Sequence, residues 1–106
     1  MRTEISKTNI ATNEAIDKAI AHKVSKVQER LKRYHPDVAD LEIRLEYHDK
    51  LRSHECALNL KAFRDTFHAK KSAPELRLAI DRSFDALIKV LDHYRVKISK
   101  SLHAGS

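Results

Sequence analysis

Between residues 14 and 34 apolar side chains recur at the three-and-four spacing of an amphipathic helix. Ile16, Ile20, Val24, Val27, Leu31 and Tyr34 share one face at about 100° per residue. Asn13 stands where an N-cap is wanted, with Glu14 near the positive end of the helix dipole. The helix is expected to stop before His35-Pro36, because proline disfavours helical geometry in the residue preceding it. Past that break the period changes to two: Leu41, Ile43, Leu45 and Tyr47 alternate with Glu42, Arg44, Glu46 and His48, which predicts a half-buried strand. After a polar turn around Asp49 to Arg52, Cys56, Leu58 and Leu60 alternate with Glu55, Ala57, Asn59 and Lys61 as another strand. Thr66 to Lys70, with Phe67 and Ala69 on one side, reads as a further one. The turn near Ala62 to Asp65 has no glycine, so the pattern leaves its type open. Thr3 to Lys7 alternate weakly around Ile5 and read as a short first strand. Ser72-Ala73-Pro74-Glu75 has the Ser-x-x-Glu form of a capping box with proline in the first turn. Leu76, Ile80, Phe84, Leu87, Leu91 and Tyr94 then mark a second helix expected to end at about Arg95 or Lys97.

Strand, helix, three strands, helix, each strand apolar on one side only, predicts an α+β domain. Its four-stranded, antiparallel-rich sheet would carry both helices on one face and leave the other polar. A chain of 106 residues is one domain's worth, able to bury roughly two thirds of its unfolded surface. That domain is placed at residues 1–97, with 98–106 expected to form a flexible tail. The lone Cys56 excludes an internal disulfide and makes the reducing cytoplasm the expected location. No run approaches the length of a membrane span, and Met1 to Ile10 lacks the pattern of a secretion signal. Gly105 is the only glycine, so a glycine-rich phosphate loop is impossible and no nucleotide cofactor is expected.

Charge changes the picture more than composition does. A net charge of +6 points to a polyanionic partner, and the cations are not scattered. Lys23, Lys26, Arg30 and Arg33 line the flank of the first helix beside its apolar stripe. On the second, Arg82, Lys89 and His93 fall within roughly 40° of one another. Asp81, Asp85 and Asp92 form an acidic row beside them. The plain reading of each helix is a solvated face with ion pairs of about 0.3 to 0.5 kcal/mol each. Two basic rows on one side of a sheet suit a folded RNA backbone better. Recognition would rest on phosphates and shape, because Tyr34, Phe67, Phe84 and Tyr94 belong to apolar stripes and few rings remain for stacking. Enzymatic chemistry has little support: the histidines show no paired metal-ligand spacing, so no metal is expected, and no isolated carboxylate pair suggests an acid/base dyad. His54 and Cys56 point to the side of Leu58 and Leu60, where a thiol stays protonated and inert. Glu42, Arg44, Glu46, Glu55 and Lys61 mix signs on the polar sheet face, as a cross-strand salt lattice would.

Three stretches carry a family resemblance. They are Asn9-Ile10 through Asn13-Glu14-Ala15-Ile16; His22-Lys23, Lys26 and Lys32-Arg33-Tyr34; and Ala79-Ile80-Asp81 followed by Asp85, Leu87, Lys89, Leu91 and Tyr94-Arg95. Over nearly its whole length the chain resembles the ribosome hibernation-promoting factors, relatives of the ribosome-associated inhibitor called protein Y. The resemblance implies a βαβββα fold similar to double-stranded RNA-binding domains. It also implies a protein that occupies the decoding region of the small ribosomal subunit and silences translation under stress. Lys23, Lys26, Arg33, Lys89 and Arg95 would then contact rRNA, and the helical rows add Arg30, Arg82 and His93. The pattern departs from the family at Glu75-Leu76-Arg77, where Asp-Met-Tyr is usual, and at Ala86 and Asp92, which are often basic. The expected partners are the small ribosomal subunit and its rRNA, engaged by a monomer, with no membrane, no small-molecule substrate and no cofactor. The long members' carboxy-terminal dimerisation domain is not expected, so any pairing of ribosomes would be indirect. The rival readings are a structured-RNA-binding module without ribosome specificity, a protein-interaction module using the sheet face or an open strand edge, and, weakest, a small metal-dependent enzyme.

Overall fold

The computed structural model describes residues 1–32 and 39–104, with side chains described as far as Tyr94. Its elements follow in the expected order: β1 (Arg2–Thr8), α1 (Glu14–Lys32), β2 (Asp40–His48), β3 (Ser53–Ala62), β4 (Asp65–Ala73) and α2 (Leu76–Ala104). The strands form one sheet in the order β1-β2-β3-β4. β1 runs parallel to β2, and the remaining neighbours are antiparallel. The fold is therefore α+β with βαβββα connectivity, as expected.

Period-two alternation sets the faces. Leu41, Ile43 and Leu45 on β2, Cys56, Leu58 and Leu60 on β3, and Phe67 and Ala69 on β4 all point to one side and are buried. Ile20, Val27 and Leu31 from α1 and Ile80, Phe84, Leu87 and Leu91 from α2 close on them in a single core cluster. Burying each such side chain contributes about 1.5 to 3 kcal/mol, which holds both helices against the same sheet face. Ser83, the buried polar residue of this core, satisfies its hydroxyl by donating to the Ile80 carbonyl at 3.0 Å.

α1 begins as expected: the Asn13 Oδ1 accepts the Ile16 N–H at 2.9 Å, satisfying an otherwise orphaned donor of the first turn. The expected end at Tyr34, before His35-Pro36, lies outside the described residues. The capping box expected at Ser72 is corrected. Ser72 lies inside β4, paired with Glu55 of β3, and the helix opens three residues later, where the Glu75 carbonyl accepts the Ala79 N–H at 3.1 Å. Sheet pairing of the strand took precedence over a local Ser-x-x-Glu motif. The helix end expected at Arg95 or Lys97 is also corrected, because α2 continues to Ala104.

β1 is an outer strand exposed at every residue, and Ile5 keeps 46% of its surface in contact with solvent. Its alternation is weak because, among the described residues, no helix covers it. Asn9 fastens the following loop: with φ at 58° it turns the chain, and its side-chain amide donates to the Tyr47 carbonyl at 3.3 Å and to Asp49 at 3.1 Å. The β3–β4 connection is a two-residue turn, Phe63-Arg64, closed by the Ala62 and Asp65 pair. Both residues have positive φ, 58° and 62°, the signature of a type I′ turn that Asn-Gly ordinarily fills.

Candidate nucleic-acid interface

Because α1 and α2 cover the same sheet face, their flanks meet. Lys23 Nζ lies 3.6 Å from Asp81 and 4.0 Å from Asp85, and its side chain is only 13% exposed. About two turns further along both helices, Arg30 pairs with Asp92. The helices therefore run side by side in the same direction, and the acidic row of α2 is the counterpart of the basic row of α1. Asp81 is also met by Arg77 one turn before it, at 3.3 Å. Half of the four-cation row read from α1 is thus spent on the protein's own aspartates. Asp81, Asp85 and Asp92 form a row apart from Arg82, Lys89 and His93 on the wheel of α2, so they can face α1 while the cations do not.

The other expected contacts have different settings. Lys26 on α1 and Arg82, Lys89 and His93 on α2 are exposed. Among the described residues, none of Lys26, Arg82 and Lys89 has a carboxylate within ion-pair distance. Lys32, in the last turn of α1, is exposed as well and complements the negative end of the helix dipole. Arg33 and the Arg95 side chain lie outside the described residues. The helix layer thus presents a seam whose cations are paired internally, flanked by cations that are not. Positive charge of this kind, held on rigid helices, can meet phosphate oxygens without being stripped from an internal partner.

The opposite sheet face carries a second ion-pair network. Glu46 and Glu55 are direct cross-strand neighbours, an unfavourable like-charge pair. His48 Nε2 sits between them, 3.7 Å from Glu46 and 3.4 Å from Glu55, and Lys70 Nζ is 3.1 Å from the other Glu55 oxygen. Burial works to raise the Glu55 pKa, but hydrogen bonds from Lys70 and His48 outweigh it and hold the carboxyl below its ordinary value of 4.5. Glu46, His48 and Glu55 place one ligand-capable atom each within 4.8 Å of one another, a grouping that linear spacing could not reveal because the strand pair assembles it. Their polar atoms are engaged with each other and with Lys70. Arg44 pairs with Glu42 on the same face, whereas Lys61, which completed the expected lattice, has no carboxylate partner among the described residues.

Cys56 is fully buried at mid-strand, and desolvation pushes its thiol up to about 11 even though a hydrogen bond with Ser83 acts the other way. At neutral pH it is a protonated core residue and a poor nucleophile. Of the rings, Phe67 and Phe84 are buried, while Tyr94 is half-buried and packs against Phe67 with centroids 5.0 Å apart. No helix among the described residues is long and apolar enough to cross a membrane.

A mixed four-stranded sheet with both helices on one face, and cations outside the helix seam, defines an α+β domain of βαβββα type. The chain belongs to the sigma 54 modulation protein / S30EA ribosomal protein family, whose model matches residues 3–99. Among solved structures it is similar to the Thermus thermophilus protein Y N-terminal domain. That superposition has a TM-score of 0.70 at 19% identity and covers 89% of this chain and 99% of the other. It is also similar to a ribosomal subunit interface protein from Coxiella burnetii, with a TM-score of 0.68 at 15% identity, covering 91% and 99%. No curated protein matches the sequence.

Proposed function

We propose that this protein is a ribosome-binding translation inhibitor that occupies the decoding region of the small ribosomal subunit and is held there by electrostatic contacts with rRNA. The observation that carries the reading is the placement of Lys26, Arg82 and Lys89: exposed, without internal ion pairs, and on the helix layer of a domain belonging to a ribosomal-protein family. His93 extends the α2 row, and Arg33 and Arg95 continue the two rows in sequence. Lys23 and Arg30 belong to the interface only if phosphate draws them from Asp81, Asp85 and Asp92. The family's description as a ribosomal protein and the similarity to a ribosomal subunit interface protein support a ribosomal partner. The protein acts as a monomer, by steric occlusion rather than chemistry, under conditions that call for silent ribosomes.

Co-sedimentation with isolated small ribosomal subunits across a salt series tests this. Each neutralised phosphate contributes roughly 0.7 to 0.9 to the log-log slope, so replacing Lys26, Arg82 and Lys89 together by glutamine should flatten it by about 2 to 3. A slope unchanged in that variant would remove the helix layer from the interface. Equal affinity for free duplex RNA would instead favour the structured-RNA-binding module without ribosome specificity.

A further inference from the structure

The β3–β4 turn conflicts with its own sequence. A type I′ turn needs two consecutive residues in the left-handed region, where asparagine and glycine are favoured and a bulky side chain is disfavoured. Here the two positions hold Phe63 and Arg64. Each such residue stores strain of about 1 to 3 kcal/mol, which persists only where the surroundings enforce it. Phe63 supplies part of that enforcement: its ring lies 5.6 Å from that of Tyr94 on α2, which in turn packs edge-on against Phe67 of β4. Nothing comparable holds Arg64. It is exposed, and the neighbouring carboxylate of Asp65 accepts the Thr66 N–H at 2.9 Å and does not meet the guanidinium. Among the described residues Arg64 has no ion-pair partner.

The location gives this arginine a purpose. Tyr94 is two residues past Asp92, which takes Arg30 from the last turn of α1. The strained turn therefore sits beside the stretch of α2 that carries Lys89 and His93 and that receives Arg30 from the last turn of α1, which also holds Lys32. We propose that Arg64 is an additional phosphate-binding residue, an exposed guanidinium beside the helix layer that extends the rRNA interface onto the β3–β4 turn. Its planar fork of donors suits bidentate contact with a phosphate, and its fixed backbone lowers the ordering cost of making one. The proposal rests on the rRNA-binding reading above and adds a residue to it.

The test uses three changes to the whole protein, each titrated with isolated small ribosomal subunits across a salt series. Arg64→Asn suits the left-handed backbone and removes the charge. It should leave the melting temperature equal or higher while flattening the salt slope by about 0.7 to 0.9. Arg64→Lys should keep most of the slope. Lys26→Gln with Lys89→Gln is the reference for the helix layer. If the reference variant flattens the slope and Arg64→Asn leaves it unchanged, the turn does not touch RNA and this proposal is overturned while the ribosome-binding reading stands. If neither changes it, the reading itself fails and the proposal with it.

Discussion

α1 and α2 carry basic rows of similar appearance in sequence, yet the fold uses them differently. Lys23 and Arg30 of α1 face the aspartates of α2 and serve as a helix-to-helix clamp, whereas Arg82 and Lys89 of α2 lie off the seam without such partners. The lesson is that a charged stripe on one helix is defined only when the neighbouring flank is known. Its distance from the apolar stripe is the useful signal: cations closest to the buried face enter the seam, and Lys26, further round α1, stays outside it.

The largest expected effect separates these two roles. Replacing Arg82 and Lys89 by glutamine should flatten the salt slope for small-subunit binding by about 1.4 to 1.8 while leaving the melting temperature nearly unchanged. Replacing Lys23 and Arg30 should do the reverse, with a smaller change in slope and a stability loss of about 1 kcal/mol from two partly exposed clamps. Equal slopes from the two double variants would erase the distinction between seam and flank.

A second change tests whether the clamp holds back binding. Asp81→Asn, Asp85→Asn and Asp92→Asn together remove three negative charges beside the flanking cations and leave Lys23 and Arg30 without carboxylate partners. Affinity for small subunits should rise, with a slope steeper by up to about 1.4 to 1.8, at a cost of about 1 kcal/mol in stability. Unchanged affinity would show that the seam cations cannot be turned outward. Asp92 is the informative position, since it is the acid that holds Arg30.

Much of this architecture was legible in the residues. β2 and β3 announce themselves because one face is buried and the other is not, and α1 and α2 because their apolar stripes keep a helical period over many turns. β1 was barely readable, since an edge strand exposed along its length has no reason to alternate. Ser72 misled because a local capping motif carries no information about the β3 strand that claims its backbone. The site was half legible. The cations were visible, but the register of α1 against α2, which pairs Arg30 with a residue 62 positions away, arises only when both helices settle on the core. The Phe63-Arg64 turn was unreadable for the opposite reason: its residues are ones that turn chemistry would reject. The cross-strand trio Glu46, His48 and Glu55 likewise needed strand register to assemble.

The core offers a narrower check on the reading of Cys56 as structural. With its thiol raised to about 11 and no exposure, native protein at pH 8 should react with a thiol reagent far more slowly than unfolded protein, by at least about a hundredfold. Rapid native-state alkylation would show that β3 opens under the helix layer. Both charge rows would then ride on a looser platform than the packing indicates.

The smallest expected effect comes from the network on the far side of the sheet, which is a control for the helix seam. Glu55 is held below its ordinary value of 4.5 by Lys70 and His48, so the unfolded chain takes up this proton more readily than the folded one. Its contribution to stability is therefore present above about pH 4.5 and is lost as pH falls through the lowered value. Glu55→Gln should reduce stability at neutral pH by under about 1 kcal/mol, in keeping with a mostly surface network, and the deficit relative to the parent protein should shrink on acidification. The salt slope for small-subunit binding should not move, because this face lies across the sheet from both helices. If Glu55→Gln steepened that slope by releasing Lys70, the polar sheet face would join the interface. The contrast between internally paired and available charge would then no longer predict which residues meet RNA.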